Sequence, residues 1–315
     1  MLSRTANHLY WMARYIERAE NMARILDVTS RMCLAPNAAK NEARLWNPAI
    51  RISGDIKRFK QRYGAASARS VVMHMVFDND NPSSILSCLR AARENARAVR
   101  GAITSEMWES LNSTWLEICD IDIEKLDRRG LNDFCEWVKS RSHLFRGVTY
   151  GTMLHDDAFC FLRLGTFLER ADNTARILDV KYHVLLPSPA DVGGAEDYYE
   201  WSAILRSVSA FAAYRKIYRE TVTAWRVAEI LVLRHDMPRS LHACFDEISG
   251  ILQVLHATHD SESMRMAGEL HAELHYGRID TIFQGGLHQF LVGFIRRTNQ
   301  LGSEIQKKFL AVPCA

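Results

Sequence analysis

The feature of this sequence that most constrains its fold is a stretch of fourteen residues that occurs twice. YIERAENMARILDV begins at residue 15 and FLERADNTARILDV begins at residue 167, an offset of 152. In both copies the apolar residues recur with the three- and four-residue spacing of an amphipathic helix. The charged residues repeat as closely, although a helix that only fills a core needs its apolar stripe alone. The repeat therefore predicts two equivalent helices whose polar faces have a specific role.

The repeat extends beyond this stretch. The pattern Asp-x-Pro-x-Ser-x-x-x-Cys begins at residue 80 and again at residue 236, and GLNDF at residue 130 matches GLHQF at residue 286; both offsets are 156. One short insertion accounts for the drift from 152. Because the matches keep their order along the chain, we predict a duplicated helical bundle of two tandem, pseudo-symmetric units, residues 1–152 and 153–315.

Each unit is predicted to contain about six helices, and the fold class is all-α. Few glycines and prolines interrupt the long runs of Leu, Ala, Arg and Glu, and no alternating β pattern competes with them. Pro82 and Pro238 are expected near the first position of a helix, with Asp80 and Asp236 as caps. The predicted helices span 2–34, 41–63, 66–77, 82–100, 104–120 and 128–145 in the first unit, and 155–186, 196–211, 213–234, 238–257, 261–276 and 280–310 in the second.

Composition argues against several classes of protein. The 315 residues are 48% hydrophobic and 24% charged, with a formal net charge of +3, and basic residues are scattered among acidic ones. A nucleic-acid interface is therefore not expected. The seven cysteines stand singly, which is typical of reduced thiols. No apolar run approaches the roughly eighteen residues of a membrane span. We expect a soluble cytoplasmic protein with neither membrane nor nucleic-acid partners.

The polar face of the two repeated helices is the main candidate site. On a helical projection its charged residues gather opposite the apolar stripe, except that Arg18 lies at the boundary. The candidate residues are Glu17, Arg18, Asn21, Arg24 and Asp27 in the first copy and Glu169, Arg170, Asn173, Arg176 and Asp179 in the second.

Two roles are open for these residues. In the structural role, the two helices pack together and shield Glu17 and Glu169 from water. Glu17 then meets Arg176, and Glu169 meets Arg24, as reciprocal buried ion pairs that fix the register. In the binding role, the polar faces line a cleft and offer carboxylates and guanidinium groups to a charged ligand.

A secondary candidate site lies in the second unit. Arg215, Tyr218 and Arg219 follow one another on a predicted helix ahead of Arg239 in MPRSL. Guanidinium groups beside a phenol suit contacts with a phosphate or carboxylate group.

Metal-binding patterns are weak. The paired acids of the repeat lack the Glu-x-x-His motif that di-metal helical bundles require. His271 and His275 have a spacing that can ligate zinc, but Glu273 stands one place away from the metalloprotease order, and a His-rich helix is also typical of polar surface. We predict no metal site and no cofactor.

Three stretches together resemble the bacterial alpha-E domain family, an all-helical family named for a Glu-Arg motif. They are LSRTANHLYWMARYIERAENMARILDV, RLGTFLERADNTARILDVKYHVLLP and MPRSLHACF. The motif falls on Glu17 and Arg18 and again on Glu169 and Arg170. The resemblance spans nearly the whole chain.

The resemblance also implies a functional setting. Genes of this family tend to accompany genes for a circularly permuted ATP-grasp protein and a transglutaminase-like protein. It implies a helical partner or substrate-handling module that acts with such a ligase in peptide or amide-bond synthesis or modification. The alternative is an enzyme in its own right, whose Glu/Arg-lined cleft performs acid–base chemistry on a peptide-like substrate. The chain has no glycine-rich phosphate loop or nucleophile elbow, so ATP hydrolysis or acyl transfer by this chain alone is not expected.

Overall fold

A computed structural model describes residues 1–33, 42–54, 56–122, 128–183, 194–255 and 261–311. Within these ranges the chain is helical and has no strand, which confirms the predicted all-α class. The first seven α-helices are α1 Ser3–Met32, α2 Glu42–Ser53, α3 Ile56–Tyr63, α4 Ala68–Val72, α5 Ile85–Ala98, α6 Ser105–Cys119 and α7 Arg128–Thr152. The next eight are α8 Asp157–His183, α9 Ala195–Ser207, α10 Phe211–Tyr218, α11 Ala224–Val232, α12 Leu241–Leu255, α13 Glu262–His275, α14 Ile279–Gly285 and α15 Leu287–Ile305.

Two long helices, α1 and α8, form the centre of the fold and pack against each other. α5 and α7 pack on α1, and α12 and α15 pack on α8. The core side chains of the two central helices include Leu9, Met12 and Leu26 on α1 and Leu164 and Leu178 on α8. The predicted close packing of the two motif helices is therefore confirmed. None of the helices in the described ranges is both long and apolar enough to cross a membrane.

Three of the predicted helices are each broken in two. The helix predicted at 41–63 is interrupted at Gly54, where φ is +83°, and the one predicted at 280–310 is interrupted at Gly286, where φ is +90°. The helix predicted at 213–234 ends at Tyr218 because Arg219 adopts the left-handed conformation, with φ of 52°. Positive φ terminates an α-helix, and glycine adopts it without the steric penalty of a Cβ atom.

The helix caps also differ from the prediction. Ser84 caps α5 by accepting a hydrogen bond from the Ser87 amide, and the Ser240 hydroxyl accepts one from the Ala243 amide at the start of α12. Asp80 and Asp236 instead pair with neighbouring arginines, Arg62 and Arg234. Both helices start three residues later than the predicted positions 82 and 238, so the repeated serine is the cap in each case.

The crossing of α1 and α8 depends on Gly165. A Cβ atom built on this residue would lie 2.3 Å from the backbone oxygen of Tyr10. We expect Gly165→Ala to reduce the free energy of unfolding by about 1–3 kcal/mol or more, because two packed backbones must separate. Gly250→Ala on α12 is the control, since a Cβ atom there meets nothing within 4 Å. It should be neutral or stabilise the fold by up to about 1 kcal/mol. Equal melting temperatures for the two variants would contradict this explanation.

Candidate functional site

The two Glu-Arg dipeptides of the chain face each other across the α1/α8 contact. The carboxylate of Glu17 accepts hydrogen bonds from both Nε and Nη2 of Arg170, each at 3.0 Å. In return, Arg18 donates from Nε to Glu169 at 2.6 Å and from Nη2 at 3.0 Å. Each pair is bidentate, the geometry in which a guanidinium binds a carboxylate most strongly. The two motifs therefore exchange partners reciprocally between the two central helices.

This pairing corrects the predicted one. Arg24 and Arg176, the expected partners of Glu169 and Glu17, bind acids on their own helices. Arg24 contacts Glu20 at 2.7 Å, and Arg176 contacts Asp172 at 2.6 Å, both at a spacing of four residues. The reciprocal contacts across the helix pair come from the Arg next to each Glu.

Glu17 and Glu20 lie at the centre of the larger part of the network. Glu17 is 1% exposed and Glu20 is fully buried. Arg239, just before α12, donates to Glu17 at 2.9 Å and also to Glu20. Arg146 on α7 donates to Glu17 at 3.0 Å and also to Glu20. The Ser142 hydroxyl donates to the second oxygen of Glu20 at 2.7 Å. Four helical segments are thus tied together by two carboxylates.

Positive charge exceeds negative charge in this group of contacts. The two carboxylates, of Glu17 and Glu20, contact four guanidinium groups. These belong to Arg24, Arg146, Arg170 and Arg239. The pKa of Arg239 is lowered from its ordinary value, because its side chain is removed from water and then because Arg170 and Arg24 repel its charge.

Glu169 forms the second part of the network, with two arginines of α1. Besides Arg18, Arg14 donates from Nε to Glu169 at 2.7 Å and from Nη1 to the Tyr10 hydroxyl at 3.1 Å. Glu169 is 5% exposed. The expectation that Glu17 and Glu169 are both shielded from water is therefore confirmed.

The surrounding arginines keep these carboxylates ionised. Burial alone would raise the pKa of Glu17, but Arg170 and Arg239 outweigh it and hold the pKa at about 2. Glu169 behaves in the same way, with burial opposed by Arg18 and Arg14 and a pKa of about 2. The pKa of Glu20 also lies well below its ordinary range, because the hydrogen bond with His143 and the charges of Arg239, Arg146 and Arg24 outweigh burial. Strong shifts of this kind occur in structural ion pairs as well as in active sites.

The remaining candidates of the repeat lie on the same faces but make different contacts. The Asn21 carbonyl accepts from Arg239 at 3.2 Å. Asp27 binds Arg31 and Lys139, and Asp179 lies 2.6 Å from Nδ1 of His288 on α15. Asn173 is buried. The polar stripe thus extends along both helices, away from the reciprocal pairs.

Among the secondary candidates, Arg239 alone contacts the Glu-Arg network in the described part of the chain. Arg215 and Arg219 are exposed. Tyr218 lies beneath the guanidinium of Arg226, 4.9 Å from its ring centroid, and its pKa is raised chiefly by burial. A shared phosphate site of all four residues is therefore not formed.

Sequence reasoning missed two arginines that complete the network, Arg14 and Arg146. Neither belongs to the repeat: Thr166 stands 152 residues after Arg14, and Gly302 stands 156 residues after Arg146. A search limited to repeated charges cannot find them. The sequence offers one signal for them, which is spacing. Arg14 lies one helical turn before Arg18, and Arg146 lies one turn after Ser142.

A polar cleft opens beside Glu169. Its volume is about 280 Å³, and its wall includes Trp11 and Arg14 of α1, Asp172 of α8, and Thr298 and Gly302 of α15. The buried hydroxyl of Thr298 has no hydrogen-bond partner within the described part of the chain. The cleft is thus lined by an aromatic ring, a cation that binds Glu169, an anion that binds Arg176, and a hydroxyl, a mixture of groups that suits a small polar ligand.

Comparison with known proteins identifies the family. The model of the Alpha-E family, described as a predicted alpha-helical domain with a conserved ER motif, matches residues 1–310. Uncharacterized proteins of Mycobacterium bovis and Mycobacterium tuberculosis are similar, at 24% and 23% identity over 345 aligned positions. These alignments cover 98% of this chain but 37% of each relative. No solved structure matches. Because the family model covers nearly the whole chain, and because its two Glu-Arg motifs form the reciprocal pairs at the centre of the fold, this protein belongs to the Alpha-E family.

Proposed function

We propose that this chain is a helical binding module that holds a small charged substrate for a partner enzyme and performs no acid–base chemistry with its Glu-Arg motifs. The observation that carries the proposal is the saturation of the motif carboxylates. Every oxygen of Glu17, Glu20 and Glu169 accepts a hydrogen bond from an arginine. A carboxylate used in this way fixes the packing of helices.

The low pKa values argue against the alternative of a Glu/Arg acid–base enzyme. General acid–base catalysis works best when the pKa of the catalytic group lies near the operating pH. With pKa values of about 2, Glu17 and Glu169 are ionised and bound at neutral pH. They are poor proton donors, and their basicity is weakened by the arginines they bind.

Ligand handling is assigned instead to the cleft beside Glu169. Its volume of about 280 Å³ is just below the usual range of ligand sites, roughly 300–1,000 Å³, which suits a compact polar group. Arg14 binds Glu169 and Tyr10 through Nε and Nη1, which leaves Nη2 for a ligand carboxylate. Asp172 binds Arg176 and would exchange it for a ligand ammonium group, and Trp11 supplies an apolar wall. A free amino acid or the end of a peptide presents these groups together.

The partner implied by the family resemblance is an ATP-grasp-type ligase acting with a transglutaminase-like protein. The product would be a peptide or another amide-linked compound. The mycobacterial relatives support a function beside another protein domain, since the matched region makes up 37% of their length and the rest is further polypeptide.

We also infer that the chain arose by duplication, with units at 1–152 and 153–315. In the first unit α5 and α7 pack on α1 and α6 packs on both of them; in the second, α12 and α15 pack on α8 and α13 packs on both of them. This correspondence supports the inference. So does the boundary, which falls between α7 and α8. On this alignment Gly302 corresponds to Arg146 and Thr298 to Ser142. The cleft then occupies the place that the Arg146 side chain fills in the first unit.

The cleft offers a matched pair of variants to test the proposal. Gly302→Gln places a side chain in the cleft, and Gly293→Gln on the same helix enters open space. The ATP-grasp-type ligase encoded in the same genome is assayed for ligation product with each variant and without any. We expect product to rise with the parent chain and with Gly293→Gln, and to stay at the level of the ligase alone with Gly302→Gln. A ligase that ignores the parent chain would contradict the partnership, and a fully active Gly302→Gln variant would contradict the role of the cleft.

A further inference from the structure

A second group of functional side chains lies apart from the Glu-Arg network, between α12 and α13. His242 on α12 and His271 and His275 on α13 place one possible ligand atom each within 4.8 Å of the others. Asp246, one turn after His242, brings a carboxylate oxygen to 2.7 Å from Nε2 of His271 and 3.4 Å from Nε2 of His242. Each helix thus contributes two residues at a spacing of four.

We propose that these three histidines, completed by the carboxylate of Asp246, form a zinc site that joins α12 to α13. Zinc in proteins binds four ligands in a tetrahedron, with imidazole nitrogens at about 2.0–2.1 Å, so that its donor atoms lie roughly 3.3 Å apart. Nε2 of His242 lies 3.3 Å from Nδ1 of His275, the separation that such a site requires. Three nitrogens and one oxygen are a donor set that suits zinc.

The tautomer of His242 is already set for coordination. Its Nδ1 lies 2.8 Å from the carbonyl oxygen of Leu233, which can only accept a hydrogen bond. Nδ1 therefore carries the proton of the neutral ring, and the lone pair of Nε2 points toward His275. A hydrogen bond from the second ring nitrogen to a backbone carbonyl is the arrangement that orients histidine ligands in known metal sites.

One ligand of the proposed site is buried, and the others are reached by solvent. His242 is 5% exposed and anchors the site in the protein, while His271 and Asp246 have side chains 30% and 40% exposed. A hydrated ion can therefore reach the group from solvent. Asp246 lies outside the group of mutually close ligand atoms, so its 40% exposed side chain has to turn toward His275 to complete the tetrahedron.

These histidines are not required by the helical packing itself. On the offset of 156 that relates the two halves of the sequence, Leu86, Trp115 and Cys119 correspond to His242, His271 and His275. The α5/α6 contact is thus made without any histidine at these positions. The cluster is a property of the second half alone, and four protein donors around one ion form a closed site of the structural kind.

Zinc titration of the whole chain, prepared without an affinity tag, tests the proposal. We expect one zinc ion per chain, a higher melting temperature with zinc, and the strong visible absorption of tetrahedral cobalt when Co²⁺ replaces Zn²⁺. His271→Asn and His275→Asn should each weaken zinc binding by more than the roughly 10- to 100-fold that loss of an outer hydrogen-bond partner costs. Both residues are accessible enough to be replaced without loss of the fold.

His235 supplies the matched control. Its ring centroid lies 6.2 Å from that of His242, but it is outside the group of close ligand atoms. His235→Ala should bind zinc as tightly as the parent chain. The proposal is overturned if the parent chain binds no zinc, if His271→Asn and His275→Asn bind it unchanged, or if His235→Ala weakens binding as much as they do.

Discussion

Replacing Glu17 by glutamine is expected to lower the free energy of unfolding by about 3–5 kcal/mol, the cost of breaking a buried ion pair by removing one partner. Glutamine keeps the shape of the side chain but removes its charge, and its amide nitrogen must face a hydrogen-bond donor. Three guanidinium groups, of Arg146, Arg170 and Arg239, lose a carboxylate partner at once. The carboxylate of Glu20 cannot replace it for Arg170, which points to Glu17 alone among the hydrogen bonds described.

Glu94→Gln on α5 is the matched control. Its carboxylate is half exposed and contacts Arg93 and Arg97 at the surface. Removing that charge should change the stability by no more than about 0.5 kcal/mol. Urea unfolding of the parent and both variants measures the difference. If Glu17→Gln unfolds at the same urea concentration as Glu94→Gln, the reciprocal Glu-Arg pairs do not stabilise the fold.

The sequence predicted which helices meet, because charge was repeated where packing alone would not require it. It did not predict the register of the contact. The pairing of Glu17 with Arg170, in place of Arg176, depends on where two helices cross and at what angle. The close approach that fixes this crossing is made by Gly165, and a single glycine within a long helix does not reveal which backbone it faces.

Helix interruptions were also beyond the sequence pattern. Arg219 has no residue preference for the left-handed conformation, so its break is imposed by the tertiary structure. Gly54 and Gly286 do favour it, but a single glycine inside a helical pattern is compatible with continuation. Element type was therefore easier to predict than element length.

The histidine cluster shows how a site can be half visible in a sequence. The spacing of His271 and His275 is a local signal on one helix. His242 lies 29 residues before the first of them, and only the packing of α12 on α13 brings it within reach. The Glu-Arg site was more predictable because the same motif occurs on both of its helices. Arg146 has no counterpart in the second half of the sequence, so the repeat did not reveal it.

Acidification should destabilise this protein strongly, and the Glu-Arg network should be responsible for much of the effect. The pKa values of Glu17 and Glu169 are about 2 in the folded chain, against an ordinary value of 4.5. A carboxyl group whose pKa is depressed by folding adds stability above its unfolded pKa and loses it as the pH falls toward its folded pKa. For each group this difference corresponds to roughly 3 kcal/mol at 1.36 kcal/mol per pKa unit. The stabilisation should therefore disappear between about pH 5 and about pH 2.

Comparison with Glu17→Gln separates this network from the other titrating groups of the chain. The free energy of unfolding is measured in urea at several pH values between about 7 and about 3, the range in which the unfolded carboxyl groups take up protons. The parent should lose stability steeply below about pH 5. The variant, less stable at neutral pH, should lose it with a smaller slope, because it has no carboxyl group at position 17 to protonate. The two curves should therefore converge as the pH falls. Parallel curves would mean that the charge of Glu17 contributes nothing to stability. If that charge stabilises the folded state, the pKa of Glu17 is lower in the folded than in the unfolded chain, and protonation must reduce the stability of the parent.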